Sequence, residues 1–494
     1  MKMFSVKSIS NNDSGLATGS ANPKIMGQET IAAIATPAGR GGIGIVRISG
    51  SHALAAVTAI FRIGPAGAMM QKESAANALK PHHLHYGHII DPLNGQTVDE
   101  VLLAVMPGPH SYTREDVVEI QSHGGTIIVE KILRFILQRG VRLAEPGEFT
   151  RRAFLNGRID LTQAEAVADL INARSESAIS IAAQQLGGGL KNSIQAIVQQ
   201  MNELLADIEA GIEFGEDVSS DAPEAIQLRT ALINNIIAPI ERLINSYQSG
   251  QLMREGIRLA IVGRPNVGKS SLLNRLIDRE KAIVTPIPGT TRDPVEAITT
   301  IGGIAVNIID TAGLHDSNDP VERIGIQKTN ETIESADLTL FVIEANQTPA
   351  AADNQILRRI KERRLLLVVN KIDLIDASID IDLPDAYRNL RSVRISALSG
   401  AGMAQLKEDI AGFFQNDQMS PKGSSVICDL RHKISLEKAL EGARHALVGL
   451  DEGQPVDIVA LDLQRAVTQI KKITGECAGP EVLDAIFKKF CIGK

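Results

Sequence analysis

Cysteine is scarce in this chain of 494 residues: Cys428, Cys477 and Cys491 are the only three, far apart and odd in number. That excludes a disulfide framework and points to a reducing compartment, the cytoplasm. Positive charge is not in excess either. Lys plus Arg number 51 against 58 Asp plus Glu, a net charge of −7. This balance argues against non-specific coating of nucleic acid while leaving room for a local basic patch. No run approaches the ~18–20 apolar residues of a membrane span, so no membrane partner is expected. Residues 1–27 lack the apolar core of a secretory signal; their Ser, Asn and Gly content reads as a disordered leader, with Met26 as an alternative start. At the other end, Cys491-Ile492-Gly493-Lys494 stands in the register of a prenylation box. Lys is a poor fourth residue there and no polybasic run precedes it, so lipidation is not expected.

What the chain does have is apolar residues, 44% of the total, and length for about three domains of ~100–200 residues, each able to bury its own core. Residues 28–157 carry short apolar runs broken by Gly and Pro. Alternation in Ile43, Ile45, Ile48 and in Val101, Leu103, Val105 predicts strands, and VEKILRFILQRG predicts a helix. This reads as an α+β domain. From residue 158 the texture turns helical. Thr162-Gln-Ala-Glu165 carries a capping-box signature, and Ile194, Ile197, Met201, Leu204, Leu205, Ile208 and Ile212 keep a helical period. Helical stripes return within 418–494: Val456, Val459, Leu463, Ala466, Ile470 and Ile473 in one, Val482, Ile486, Phe487 and Phe490 in another. Residues 256–417 alternate strand and helix. The simplest packing is one discontinuous all-α domain, 158–255 with 418–494, into which an α/β domain is inserted. Two separate helical domains would show the same pattern.

The inserted block holds the strongest chemical signal. Apolar Ile257–Val262 runs into Gly263-Arg264-Pro265-Asn266-Val267-Gly268-Lys269-Ser270-Ser271 and then a helical segment, the strand–loop–helix setting a phosphate-binding P-loop requires. Its glycines let successive amides turn toward phosphate oxygens at a helix N-terminus. Lys269 would reach the β- and γ-phosphates, and the Ser270 hydroxyl would coordinate Mg²⁺. Asp310-Thr311-Ala312-Gly313 ends the strand Val306–Ile309; its carboxylate can hold Mg²⁺ indirectly and Gly313 can approach the γ-phosphate. Asn370-Lys371-Ile372-Asp373 ends Leu365–Val369, and a carboxylate there accepts both N–H groups on the edge of guanine, which adenine lacks. Ser396-Ala397-Leu398 closes the base pocket. The order and spacing predict a Ras-like GTP-binding domain. Leu314 stands where Ras-like GTPases place a water-orienting Gln and cannot hydrogen-bond water, so either hydrolysis is feeble or another polar group does the work. Glu322, on a downstream loop, is one candidate substitute. Arg292 is the basic residue nearest the switch, and Thr290 or Thr291 would complete the Mg²⁺ shell.

Further runs make the whole chain recognisable: Ala-Thr-Pro-Ala-Gly-Arg-Gly-Gly-Ile-Gly near the start, Glu-Pro-Gly-Glu-Phe-Thr-Arg-Arg-Ala-Phe-Leu-Asn-Gly in the middle, Gly-Thr-Thr-Arg-Asp and Val-Glu-Arg-Ile-Gly in the inserted block, and Phe-Cys-Ile-Gly-Lys at the end. Together they resemble the MnmE (TrmE) family of tRNA-modification GTPases from about residue 28 onward. The resemblance implies an N-terminal domain like the folate-binding aminomethyltransferases, which also makes a homodimer. It implies a helical domain carrying an inserted G domain, and GTP hydrolysis stimulated by K⁺. The matching K⁺ ligands are Asn266, Thr285, Ile287 and Thr290; Mg²⁺ falls to Ser270 and Thr291; the water-positioning glutamate aligns with Glu322. A tetrahydrofolate pocket maps onto Arg47, Glu119, Arg158 and Lys494. Some relatives carry Lys where this chain has Arg158, and the two are not interchangeable in geometry. The implied function is installation of carboxymethylaminomethyl or aminomethyl groups on the wobble uridine of certain tRNAs. A flavoprotein partner resembling MnmG supplies FAD, and Cys491 is expected to act in the modification chemistry.

Two rival functions share these features in part. An RNA-binding ribosome-assembly GTPase would have every G-domain motif but no need of a folate-like domain or the Cys-Ile-Gly-Lys tail. A folate-dependent aminomethyltransferase with an added switch would bind folate without any tRNA requirement. One cluster invites a metal reading: His82, His83, His85 and His88. Alternation along a strand would split them between faces, so a half-exposed strand is expected instead.

Overall fold

The computed structural model describes residues 29–64, 79–213, 223–277, 297–310, 334, 336–376, 383–415 and 425–494. The chain divides into two compact units, one running to Arg158 and including Phe487–Lys494, the other Ile159–Ile486.

The first unit is built on a seven-stranded sheet. Its strands are β1 (Ile31–Ile34), β2 (Ile43–Ser49), β3 (Phe61–Ile63), β4 (Leu84–Ile90), β5 (Thr97–Met106), β6 (Val117–His123) and β7 (Arg142–Leu143), in spatial order β3-β4-β5-β6-β2-β1-β7. Only the β1–β7 pair is parallel. Among the described residues it also carries helices α1 (Ala53–Thr58), α2 (Thr126–Leu137) and α3 (Glu148–Leu155). Alternation works as expected in β5, where Val101, Leu103 and Val105 are buried. In β2 the inward positions are Val46 and Ile48, while Ile43 faces outward at 62% exposure. Strand and apolar content were legible there, but the buried face was not, because both faces of β2 carry isoleucine. Val46, Ile48, Leu103 and Ile120 pack with Ile132 and Ile136 of α2 into one core. The four histidines do not converge. His83 and His85 each turn a ring nitrogen to a nearby backbone carbonyl, and His88, buried, faces the Gly64 carbonyl at 3.0 Å.

The second unit begins with α4 (Leu161–Asn172), α5 (Glu176–Leu186), α6 (Gly189–Glu213), α7 (Pro223–Ala231), a π-helical turn over Leu232–Ile237, α8 (Ala238–Asn245) and α9 (Tyr247–Glu255). The capping box at its start is displaced from the expected one. Asp160, not Thr162, caps α4, with its side chain accepting from Gln163 N and Gln163 reciprocating at Asp160 N. Thr162 is buried and donates to Asp160 Oδ1, while Glu165 is taken up by Arg431 and His432. Two overlapping polar-x-x-Glu/Gln patterns occur here, and the buried Leu161 selects the earlier one.

A six-stranded sheet follows: β8 (Ile257–Val262), β9 (Ala297–Ile301), β10 (Ile304–Asp310), β11 (Leu338–Glu344), β12 (Leu365–Asn370) and β13 (Ser392–Arg394), in order β13-β12-β11-β8-β10-β9. All its pairs are parallel except β9–β10. Its central strands are continuous apolar runs buried on both faces, as helix-covered parallel sheets require. Among the described residues, the helices of this block are α10 (Lys269–Leu276), α11 (Ala351–Ile360), α12 (Asp385–Arg388) and α13 (Met403–Gln415). After it come α14 (Leu430–Asp451), α15 (Val456–Thr474) and α16 (Pro480–Phe487).

One hydrophobic core decides between the two helical arrangements. Ile194, Met201 and Ile208 of α6 and Ile240 of α8 share it with Leu436 of α14 and Leu463 and Ile470 of α15. The helical domain is therefore single and split in sequence, each fully buried Leu or Ile contributing roughly 1.5–3 kcal/mol by leaving water. A largely buried ionic cluster lies beside that core. Arg431 forks onto both oxygens of Glu165 at 3.0 Å, and His432 Nε2 lies 2.8 Å from Glu165 Oε2. Arg254, at the end of α9 where the chain leaves for the inserted sheet, pairs with Asp169 of α4 at 2.8 Å and with Asp429, the cap of α14, at 3.5 Å.

Candidate functional site

Two clusters of polar residues stand out, one in each unit. In the second unit, β8 ends at Val262 and the chain turns through Gly263–Gly268 into α10. Asn266 and Gly268 both have left-handed backbones, φ 66° and 97°. For Gly268 this is obligatory twice over, since a Cβ there would lie 2.3 Å from Asn370 Nδ2. Asn370, buried at the end of β12, ties three motifs together. Its Nδ2 donates to the Val267 carbonyl at 2.9 Å, and its Oδ1 accepts from Ala397 N at 2.9 Å.

Lys269 is buried, and its ammonium donates to the Gly263 and Arg264 carbonyls at 3.0 and 2.8 Å. Ser270 and Ser271 are exposed on the first turn of α10. Lys371, φ 66°, is ion-paired with the buried Glu344 at the end of β11. Asp373 lies exposed on the short turn Ile372–Leu374. Ser396 is fully buried; its hydroxyl accepts from Ser399 N at 3.0 Å, shaping the loop that carries Ala397. Asp310 ends β10, in register with Ile261 of β8. The backbones of the P-loop, Asn370-Lys371-Ile372-Asp373 and Ser396-Ala397 thus converge at the carboxyl ends of parallel strands, where such sheets bind ligands. Thr285, Ile287, Thr290, Thr291, Thr311, Ala312, Gly313 and Glu322 lie outside the described residues.

The second cluster lies wholly in the first unit. Arg47 on β2 and Glu119 on β6 are direct cross-strand partners, with Arg47 Nε 2.7 Å from Glu119 Oε1. The C-terminal tail joins them. Arg47 Nη1 donates to the Gly493 carbonyl at 3.4 Å, and Phe149 N donates to the Lys494 carbonyl at 3.1 Å. Gly493, φ 95°, packs so closely that a Cβ would stand 2.2 Å from the Ile34 carbonyl oxygen. Burial, with Arg47 nearby, pulls the Lys494 ammonium below the ordinary lysine range.

Arg158 reaches the same place through Tyr112. Its guanidinium lies 4.7 Å from that ring's centroid and donates to the Tyr112 carbonyl at 3.0 Å, while Arg47 lies 5.5 Å from the same ring. Tyr112 and Phe149 are members that spacing did not reveal. Phe149 stands inside a run quoted for the family resemblance and Tyr112 outside every quoted motif, and only folding brings them beside Arg47. Cys491 is exposed on the tail, Cys477 is exposed, and Cys428 is buried. Burial pushes the Cys428 thiol up to about 12.

The P-loop can cradle phosphates. Three cations, a carboxylate and an aromatic ring in the first unit can hold a ligand that is both anionic and flat. Among the described residues no group of three or more His, Cys, Asp or Glu could hold a metal ion, and no helix is long and apolar enough to cross a membrane.

Comparison with known proteins places these features in one family. A family model for the MnmE helical domain matches residues 161–491, and one for the GTP-binding protein TrmE N-terminus matches 30–158. The tRNA modification GTPase MnmE of Carboxydothermus hydrogenoformans is 44% identical over 470 residues, covering 95% of this chain and 100% of that protein. The protein of the same name from Roseiflexus castenholzii is 43% identical over 481 residues, covering 95% and 100%. Among solved structures, a point variant of Aquifex aeolicus Era bound to GDP and AlF₄⁻ is 30% identical, covering 38% of this chain and 67% of that one, with a TM-score of 0.27. The two family models span nearly the whole described chain, and the relatives match 95% of it over their own full length; the chain is a GTP hydrolase and belongs to the MnmE (TrmE) family of tRNA modification GTPases.

Proposed function

We propose that this chain is a K⁺-stimulated GTPase. With a flavin-dependent MnmG-like partner, it modifies the wobble uridine of certain tRNAs by carboxymethylaminomethyl or aminomethyl groups, using a folate one-carbon unit. The observation that carries this reading is the meeting of Arg47, Glu119 and the C-terminal Gly493-Lys494, 446 residues apart in sequence at the Arg47–Gly493 contact. A GTP switch alone has no use for such a site. Arg47, Arg158 and Lys494 would hold the anionic tail of a tetrahydrofolate and Glu119 would take a hydrogen-bond donor; the folate supplies the carbon. Cys491, exposed beside this cluster, is assigned to the modification chemistry.

In the G domain Asn266, Val267, Gly268, Lys269, Ser270 and Ser271 would hold the phosphates, with Asp310, Thr311, Ala312 and Gly313 sensing the γ-phosphate. Asn370, Lys371, Asp373, Ser396 and Ala397 would hold the base. Mg²⁺ is assigned to Ser270 and Thr291, K⁺ to Asn266, Thr285, Ile287 and Thr290, and water positioning to Glu322. A homodimer is supported by an apolar strip on one face of the first unit's sheet, where Ile43, Leu84, Tyr86 and Leu102 are exposed. The test is mass spectrometry of tRNA nucleosides from cells with and without the gene. Loss of the modified wobble uridine, restored by wild type but not by Cys491→Ser, is the expected result. Unchanged nucleosides with accumulating ribosomal precursors would move the protein to ribosome assembly.

A further inference from the structure

Arg264 opens the phosphate loop, yet its guanidinium is directed to α11. Its Nε lies 2.7 Å from Asp353 Oδ2. Asp353 stands in the first turn of α11 with 0% of its side chain exposed, and the same Oδ2 accepts from Ala350 N at 2.9 Å. A helix N-terminus favours an anion, so the carboxylate is in place to receive the arginine. The neighbouring Tyr387 cannot share that charge: burial first, then Asp353, push its phenol up to about 12.

The pair is an awkward one energetically. Arg264 Nε is not aligned on a hydrogen-bond acceptor, and Asp353 Oδ1 has no hydrogen-bond partner among the described residues. Desolvated charges with unmatched atoms return little net stability, and an apolar pair of similar volume is commonly as stable or more so. What such a pair does supply is position. Gly263, just before Arg264, is already wedged against β11, where a Cβ would lie 2.4 Å from the Val342 carbonyl oxygen. After Arg264 come Pro265, whose ring fixes φ, and Asn266 in a left-handed conformation. The loop's start is clamped to β11 by backbone and to α11 by the ion pair. Little conformational freedom remains before the amides of Val267, Gly268 and Lys269.

We propose that Arg264 is a positioning residue for nucleotide binding, anchored by Asp353 so that the phosphate loop presents its amides in register with the phosphates of a guanine nucleotide. Neither residue is assigned a role by the family membership or by the function proposed above. The arginine acts through the loop and does not itself touch phosphate.

The test replaces the ion pair by an apolar one, Arg264→Met with Asp353→Leu, in the full chain. Binding of N-methylanthraniloyl GDP and GTP is measured with Mg²⁺ and K⁺ present, beside thermal unfolding. The expected result is an unfolding midpoint at or above that of wild type and a loss of about ten-fold or more in affinity for both nucleotides. The preference for guanine over adenine stays unchanged, because Asn370 and Asp373 are untouched. Wild-type affinity in this variant would overturn the proposal, and so would a loss of guanine preference, which signals general loosening. Should the double variant fail to fold, Arg264→Lys decides. It keeps the charge without the guanidinium fork, and is expected to melt like wild type yet bind several-fold more weakly, roughly three-fold or beyond; undiminished binding would refute the assignment. Failure of the wild-type chain to bind either nucleotide would remove the guanine site and this proposal with it.

Discussion

Replacing Glu165 by Gln should expose how strongly the helical domain depends on one buried carboxylate. Burial by itself raises the pKa of this group, but His432 and Arg431 outweigh it and hold the carboxyl at about 2, against an ordinary 4.5. At ~1.4 kcal/mol per unit, that depression corresponds to about 3 kcal/mol of stability at neutral pH. A second route gives a similar figure, since removing one partner of a buried ion pair costs roughly 3–5 kcal/mol. In Glu165→Gln, Arg431 keeps its bonds to the Lys472 and Ile473 carbonyls at 2.8 and 3.2 Å but loses its counter-charge.

Because the folded pKa is depressed, the stabilisation is fully present above the unfolded value of 4.5 and is lost as pH falls from there toward about 2. The gap between wild type and variant should therefore be about 3 kcal/mol at neutral pH and should narrow through that window. Urea unfolding followed by far-ultraviolet circular dichroism is the assay, because the chain has no tryptophan and the split helical domain supplies much of the helix. A loss under about 1 kcal/mol at neutral pH, or a gap that does not change on acidification, would refute the reasoning.

Four further outcomes are expected. Gly268→Ala places a Cβ 2.3 Å from Asn370 Nδ2 at φ 97°; left-handed strain plus a disturbed hydrogen bond should cost GDP affinity about ten-fold or more by calorimetry. Arg47→Ala strands Glu119 and removes one contact with Tyr112, so binding of 5-formyltetrahydrofolate should vanish while GTP turnover stays within about two-fold of wild type. Glu322→Ala should keep nucleotide affinity but slow hydrolysis roughly 10²-fold or more in a phosphate-release assay. Maleimide at neutral pH should label Cys477 and Cys491 but spare buried Cys428, whose thiol is pushed up to about 12; intact mass would show any third addition.

Some features were legible along the chain and others only partly so. Ile194, Met201 and Ile208 announce a helix face by their period, yet the period does not say what covers it. Their partners Leu436, Leu463 and Ile470 lie beyond the whole inserted sheet. The capping signature near residue 160 was visible, but two overlapping patterns competed and the burial of Leu161 chose between them. Tyr112 gave no signal at all, because an aromatic residue in a loop has no period and its importance comes from two arginines reached through folding.

The sequence alone already marks the chain as a GTPase. The motifs proposed to hold the nucleotide follow β8, β10, β12 and β13, and because each loop follows its own strand, local spacing already encodes position. It also determined the alternation of α+β, helical and α/β blocks, since side-chain period is a local property. It took the folded chain to reveal that one core unites the two helical blocks, and that the chain's last residues reach the β2–β6 pair in the first unit. Nor could spacing show that the arginine of the phosphate loop is directed to α11. Those three features depend on which surfaces meet after hundreds of residues have been threaded between them, and no periodicity within a strand or helix carries that information.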